Sequence, residues 1–203
     1  GCTSTVTSLF NAPVDCFVNP IVINEVDYDQ NGTDSEEFIE LYNSSASAVN
    51  LLGYTVELIN GSNDSEYNTF TLPSFSLPAG EYYVICVGAN ASAYCDQNET
   101  GSIQNGAPEA IALLLNSVVV DAMSYEGDVP GYTEGTGVVS GDVDGNNRSL
   151  LRIPDGTDTD DNNTDFVLSC ISPGTTNILC PSNDDCEYAA FVSTSLFGTP
   201  GWD

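Results

Sequence analysis

The chain reads as all-β, a sandwich of two sheets built from short strands. Three observations carry that reading. Apolar and polar residues alternate over residues 21–26 and 37–42, the pattern of a half-buried strand. Gly, Asn, Asp and Pro break the sequence at short intervals, as turns between strands do. No segment carries the 3.6-residue apolar period of a helix.

The elements follow in order. Residues 1–19 are polar with isolated apolar positions, end in Asn19-Pro20, and are expected to form an extended arm. Strands are predicted over residues 21–26, 37–42, 54–59 and 68–72. Residues 82–87 are almost wholly apolar and belong at the centre of a sheet. Residues 110–115 and 118–123 flank Asn116-Ser117, the signal for a tight hairpin. Residues 150–153 and 166–168 complete the strands. Residues 126–148 are rich in Gly and Asp and predict a long loop, a common place for function. The expected organisation is an arm over 1–19, a sandwich over 20–178 and a second arm over 179–203.

Several pieces resemble one known family. Ile21-Val22-Ile23-Asn24-Glu25-Val26 leads through an acidic loop to Phe38-Ile39-Glu40-Leu41-Tyr42-Asn43. Leu51-Leu52-Gly53-Tyr54 looks like a strand–turn step, and Leu77-Pro78-Ala79-Gly80 like the turn into a central strand. Ser149-Leu150-Leu151-Arg152-Ile153-Pro154-Asp155-Gly156 runs on to Asp165-Phe166 and Ser172-Pro173-Gly174, similar to a closing signature of secreted microbial members. Together these resemble a lamin tail domain. The resemblance implies an immunoglobulin-like β-sandwich that serves as a binding or structural module. No heptad rod accompanies it, which sets the chain apart from nuclear intermediate-filament proteins.

Charge excludes whole classes of partner. Thirty acidic residues face two basic ones, Arg148 and Arg152, for a net charge of −28 over 203 residues, with no His. Binding nucleic acid means displacing phosphate counterions with cations, and this chain has almost none. Anionic lipid surfaces are excluded on the same ground. Apolar residues make up 41% of the chain, enough for a core. No apolar run is long enough for insertion into a bilayer, and the start at Gly1 is expected of a mature, processed form.

The seven cysteines are Cys2, Cys16, Cys86, Cys95, Cys170, Cys180 and Cys186. None pair at C-x-x-C spacing and no His can join them, so disulfides in an oxidising compartment are expected rather than zinc. Cys86 and Cys95 flank a short loop and form the first expected pair; the rest of the connectivity stays open. An odd number leaves one thiol free or bonded to another molecule. N-x-[ST] sequons stand at Asn31, Asn43, Asn60, Asn63, Asn90, Asn98, Asn147 and Asn162, which points to a glycosylated extracellular protein bearing N-linked glycans.

Calcium is the one cofactor the pattern suggests; no organic cofactor motif is present. Asp27, Asp29, Asn31 and Asp34, with Gly32, have the oxygen-ligand spacing of a calcium loop. Phe38 falls where an EF-hand places its closing Glu, so Glu36 or Glu37 would have to close a different site. Asp142, Asp144 and Asn146 form a second candidate. The Asp-rich run 155–165 reads more as structural turns than as a metal site.

Catalysis finds little support, and no enzymatic activity is expected. With no His or Lys, no side chain is an ordinary neutral-pH base. Glu37 and Glu40 offer a carboxylate pair, but residues three apart on a strand face opposite sides, so both are read as surface charge. Tyr82, Tyr83, Tyr125 and Tyr132 offer a sugar-stacking patch, although one of each strand pair is expected to pack in the core.

The two ends resemble each other. Thr7-Ser8-Leu9-Phe10-Asn11-Ala12-Pro13 matches Thr194-Ser195-Leu196-Phe197-Gly198-Thr199-Pro200 at five of seven positions. Leu9, Phe10, Leu196 and Phe197 are therefore the expected assembly residues, each segment filling an equivalent groove by β-strand addition. The expected function is a non-enzymatic extracellular structural subunit that polymerises with itself. The rivals are a calcium-dependent adhesion or carbohydrate-binding module, and an accessory domain of a secreted hydrolase.

Overall fold

The computed structural model describes residues 19–30, 32–89, 92–141 and 147–180. Expectations for Leu9, Phe10, Leu196, Phe197, Asn31, Asn90, Asp142, Asp144, Asn146, Cys2, Cys16 and Cys186 lie outside the described residues.

Two sheets face each other across one core. The six-stranded sheet runs in the order β12 (Phe166–Cys170), β11 (Arg148–Arg152), β1 (Ile21–Asp27), β2 (Glu37–Asn43), β7 (Tyr82–Val87) and β8 (Gln97–Glu99). The four-stranded sheet runs β10 (Val118–Tyr125), β9 (Glu109–Leu115), β4 (Tyr54–Asn60) and β5 (Ser65–Thr71). A small ladder joins β3 (Val49–Asn50) to β6 (Ser76–Leu77). All named pairs are antiparallel except β7 with β8.

All nine predicted strands form. The short strands β3, β6 and β8, and the single helical turn α1 (Asn162–Asp165), have no counterpart among the expectations. Alternation sends Ile21, Ile23, Ile39, Leu41, Tyr83 and Ile85 inward to meet Val56, Leu58, Phe70, Ile111, Leu113 and Met123. Burying such side chains, each worth about 1.5–3 kcal/mol, holds the sheets together. Asn116 and Ser117 both adopt positive φ, 51° and 66°, which makes the β9–β10 turn the two-residue type whose twist suits a hairpin. Gly53 (φ 94°) turns the chain into β4 against this hairpin: a Cβ there would lie 2.9 Å from Asn116 Oδ1.

β1 and β10 run in the same direction. Ile23 N donates to Asp121 Oδ2 (2.5 Å), and further along Tyr28 stacks on Tyr125 at 4.2 Å. Asn19 precedes β1 and accepts from the Tyr54 hydroxyl (2.9 Å) at the end of the sandwich where β10 begins. Cys180 is tied back to β12 at the opposite end, through Ser169 Oγ (2.8 Å) and the bond to Cys170.

Candidate functional site

β1 is buried along its whole length, so its outer face is covered as well. The cover is the chain after β11 and β12, residues 153–178, and what lies beneath is polar. A register shift between Ile23 and Glu25 bulges β1 at Asn24. Asn24 Nδ2 donates to Glu40 Oε1 (2.9 Å) and Asp155 Oδ1 (3.0 Å), while its Oδ1 accepts from Gly156 N (2.9 Å). Glu25 stands opposite Glu40 across the β1–β2 ladder. Its carboxylate accepts from Ser149 Oγ (2.6 Å), Ser172 N (2.8 Å) and Ser172 Oγ (3.0 Å). Glu40 Oε2 accepts from Gly174 N (2.6 Å). Asn177 Nδ2 donates to Arg152 O (3.0 Å) and Asn24 O (3.3 Å). Burial pushes Glu25 up to about 7 and Glu40 up to about 8, against hydrogen bonds that favour the charged forms.

A second network closes the open side between the sheets. The Arg152 guanidinium is wholly buried and donates to Ile23 O (2.8 Å), Thr157 O (2.6 Å), Asp165 Oδ2 (2.9 Å) and Asp121 Oδ1 (3.2 Å). It also lies 4.4 Å above the Phe166 ring. Ligand atoms of Asp121, Glu134 and Asp158 fall within 4.8 Å of one another, with the guanidinium 3.2 Å from Asp121 and 3.5 Å from Asp158. Burial raises Asp121 to about 6 against the pull of Arg152, and raises Glu134 to about 8. This is an ion-pair network with its cation supplied by the chain itself.

A third group sits at the far end of the core. Glu37 Oε2 accepts from Ile103 N (2.8 Å), and its Oε1 has no hydrogen-bond partner. Glu109 Oε2 is likewise unpartnered. Burial raises Glu37 to about 8 and Glu109 to about 7. The expectation of surface charge at Glu37 and Glu40 is therefore corrected: both are fully buried, Glu37 on the inner face of β2 that it shares with Ile39 and Leu41, and Glu40 on the outer face beneath Gly174. They do face opposite sides, one toward Ile103 and the other toward Gly174, so they form no acid–base pair.

The calcium-spaced loop is laced from within. Gln30 donates through Nε2 to Asp27 Oδ2 (3.0 Å) and through its backbone to Asp34 Oδ1 (3.0 Å), and its own Oε1 accepts from Glu36 N (2.8 Å). Asp27 is buried, which raises it to about 7.

Two sequons are corrected. Asn43 and Asn162 are completely buried, and each spends Nδ2, the atom a glycan would occupy. Asn43 donates to Ser47 O and Leu77 O (both 2.9 Å), and Asn162 donates to Ala122 O (2.8 Å). Asn60 Nδ2 donates to Gln104 Oε1 (2.6 Å). Asn147 is half-buried, and Asn63 and Asn98 are exposed. Of the four tyrosines offered as a sugar-stacking patch, one of each pair packs in the core, as expected. Tyr83 and Tyr125 belong to the core, and Tyr82 leans on Tyr42 and donates to Asp155 Oδ2 (2.9 Å).

Cys86 and Cys95 are bonded, as their spacing predicts, and Cys170 is bonded to Cys180. Sequence reasoning missed Asn24, Glu25, Asp121, Arg152 and Asn177. A signal existed for two of them: Glu25 interrupts an apolar strand, and Arg152, one of two cations in the chain, sits between Leu151 and Ile153.

No curated protein matches the chain. The family model of the lamin tail domain matches residues 18–127, more than half of the 203 residues, and β11 and β12 beyond it complete the six-stranded sheet. The match takes in β1 through β10, both faces of the sandwich and the hairpin between them, and the chain belongs to the lamin tail domain family, an immunoglobulin-like fold.

Proposed function

We propose that this chain is a non-enzymatic structural glycoprotein of the extracellular space or cell surface, whose sandwiches are joined head to tail through their terminal segments. The observation that carries the reading is directional. The chain enters the sandwich beside Tyr54 and leaves it beside Cys170, at opposite ends. A contact between unlike ends does not close on itself, and so it propagates. The likeness of residues 7–13 to residues 194–200 supports the same idea.

Other features agree with it. Two disulfides fit an oxidising compartment. The exposed Asn63 and Asn98 are the sites best placed for glycans. The buried carboxylates accept hydrogen bonds or pair with Arg152, and such groups pin loops rather than attack a substrate. Calcium at Asp27, Asp29, Asn31 and Asp34, or at Asp142, Asp144 and Asn146, belongs to this reading as a stabiliser of an acidic surface.

Electron microscopy of untreated native material tests the proposal. Periodic fibres that vanish when the two terminal segments, residues 1–16 and 188–202, are deleted are the expected result. Separate particles that persist at high concentration would overturn it and favour a calcium-dependent binding module.

A further inference from the structure

β10 is an edge strand of the four-stranded sheet, and among the described residues only half of it is covered. Over its second half Asn162 Oδ1 accepts from Ser124 N (3.0 Å), Glu134 Oε1 accepts from Ala122 N (3.2 Å), and Val138 bridges to Tyr125. Over Val118–Val120 no described residue pairs with that edge. Val118 is 63% exposed and Val119 42%, and Leu52, next to the Gly53 turn that meets Asn116, is 66% exposed. An open, apolar edge is a template for another strand.

Charge says what can approach it. A body carrying −28 repels its copies, so contact between two of them needs uncharged surface on both sides. Residues 110–120 and 51–56, which surround the edge, contain no charged side chain. Residues 188–202 contain none either, and Ala190-Phe191-Val192-Ser193-Thr194-Ser195-Leu196-Phe197 is rich in the β-branched and aromatic residues that strands favour. The open half of β10 lies at the end where the chain enters, whereas the segment leading to 188–202 departs from Cys180 at the other end.

We infer that the Val118–Val120 edge of β10 receives the uncharged C-terminal segment, residues 188–202, of a second copy as an added strand. This rests on the head-to-tail reading above and names the surface it uses. The added strand extends the four-stranded sheet and covers Val118, Val119 and Leu52. The next copy repeats the contact.

The test uses the full chain under assembling conditions, with Val118→Asp against Val139→Asp. Val139 is also exposed (70%) but lies on the loop beyond β10, so it controls for the added charge. Burial of a Val at each contact implies that Val118→Asp weakens association about tenfold or more, seen as a rise in the concentration at which half the protein sediments as polymer. Val139→Asp should leave that concentration where it is, and circular dichroism should show both variants folded. A synthetic peptide of residues 188–202 should shorten wild-type fibres, and hydrogen exchange at Val118–Val120 should slow on assembly. Fibres of wild-type strength from Val118→Asp, with no peptide effect, would overturn the inference and leave head-to-tail assembly intact through another surface. Wild-type chains that never associate would overturn both.

Discussion

Glu37 sets a measurable pH dependence of stability. It is fully buried on β2, held by one hydrogen bond from Ile103 N (2.8 Å), and its other oxygen is unpartnered. Burial is the main cause of its rise from 4.5 to about 8, with Asp34, Asp27 and Asp29 adding repulsion and the Ile103 bond opposing. Below pH 4.5 folded and unfolded chains both hold the proton. Between 4.5 and about 8 only the folded chain holds it, so stability is fully present below that window and falls as pH rises through it. At about 1.4 kcal/mol per pH unit, the interval corresponds to about 5 kcal/mol at most. Glu37→Gln keeps an acceptor for Ile103 N and removes the charge. The variant should match the wild type within about 1 kcal/mol at pH 5 and exceed it by about 2–5 kcal/mol above pH 8. Urea unfolding at constant ionic strength with disulfides intact reads both values. Taking the difference between the two proteins cancels the contributions of Glu25, Glu40 and Glu134, which slope the same way. A difference that does not change with pH, or a variant less stable than wild type above pH 8, would refute the reasoning.

Arg152→Met removes the one buried cation and strands Asp121 and Asp165, which should cost about 3–5 kcal/mol. Arg152→Lys should recover only part of the loss, since an ammonium cannot fork between both carboxylates and Ile23 O. Urea midpoints check this, and a loss below about 1 kcal/mol would contradict it. In material from a host that N-glycosylates, intact-mass spectrometry should show glycan mass lost from Asn63→Gln and Asn98→Gln. Asn43→Gln and Asn162→Gln should keep their glycan mass but unfold more easily, and a glycan found on Asn162 would refute the buried assignment.

The strands were legible because their signal is local. Alternation along β1 and β2, the apolar run of β7 and the Asn116-Ser117 turn each fit within a few residues. The Cys86–Cys95 bond was legible for the same reason, since only a short loop separates the pair. The rest was written between distant residues. β8 exists because residues 97–99 lie beside β7, and nothing in Gln97-Asn98-Glu99 favours a strand by itself. Asn24 meets Asp155 and Ser172 meets Glu25 only after the sheet has formed. Glu37 and Glu40 look like surface charge because a strand exposes one face by default. A sheet covered on both sides looks the same in one strand's sequence when the covering is polar.

That polar covering explains how so acidic a chain closes its own sandwich. Residues 153–178 carry few large apolar side chains to press onto the outer face of β1 and β2, and Ile178 is itself exposed. They are held by hydrogen bonds to carboxylates already placed there: Glu25 receives Ser172, Glu40 receives Gly174, and Asp155 receives Tyr82 and Asn177. Each such bond is worth about 0.5–1.5 kcal/mol while its acceptor is protonated and about 1.5–3 kcal/mol once it is ionised. The same carboxylates repel each other and are costly to bury, so the closure is tight only while their donors are all in place. A chain fastened in this way has little use for its acidic body as a contact surface. Uncharged stretches, among them 110–120 along the β10 edge and 188–202 beyond Cys180, suit contact with a like-charged copy better than the acidic body does.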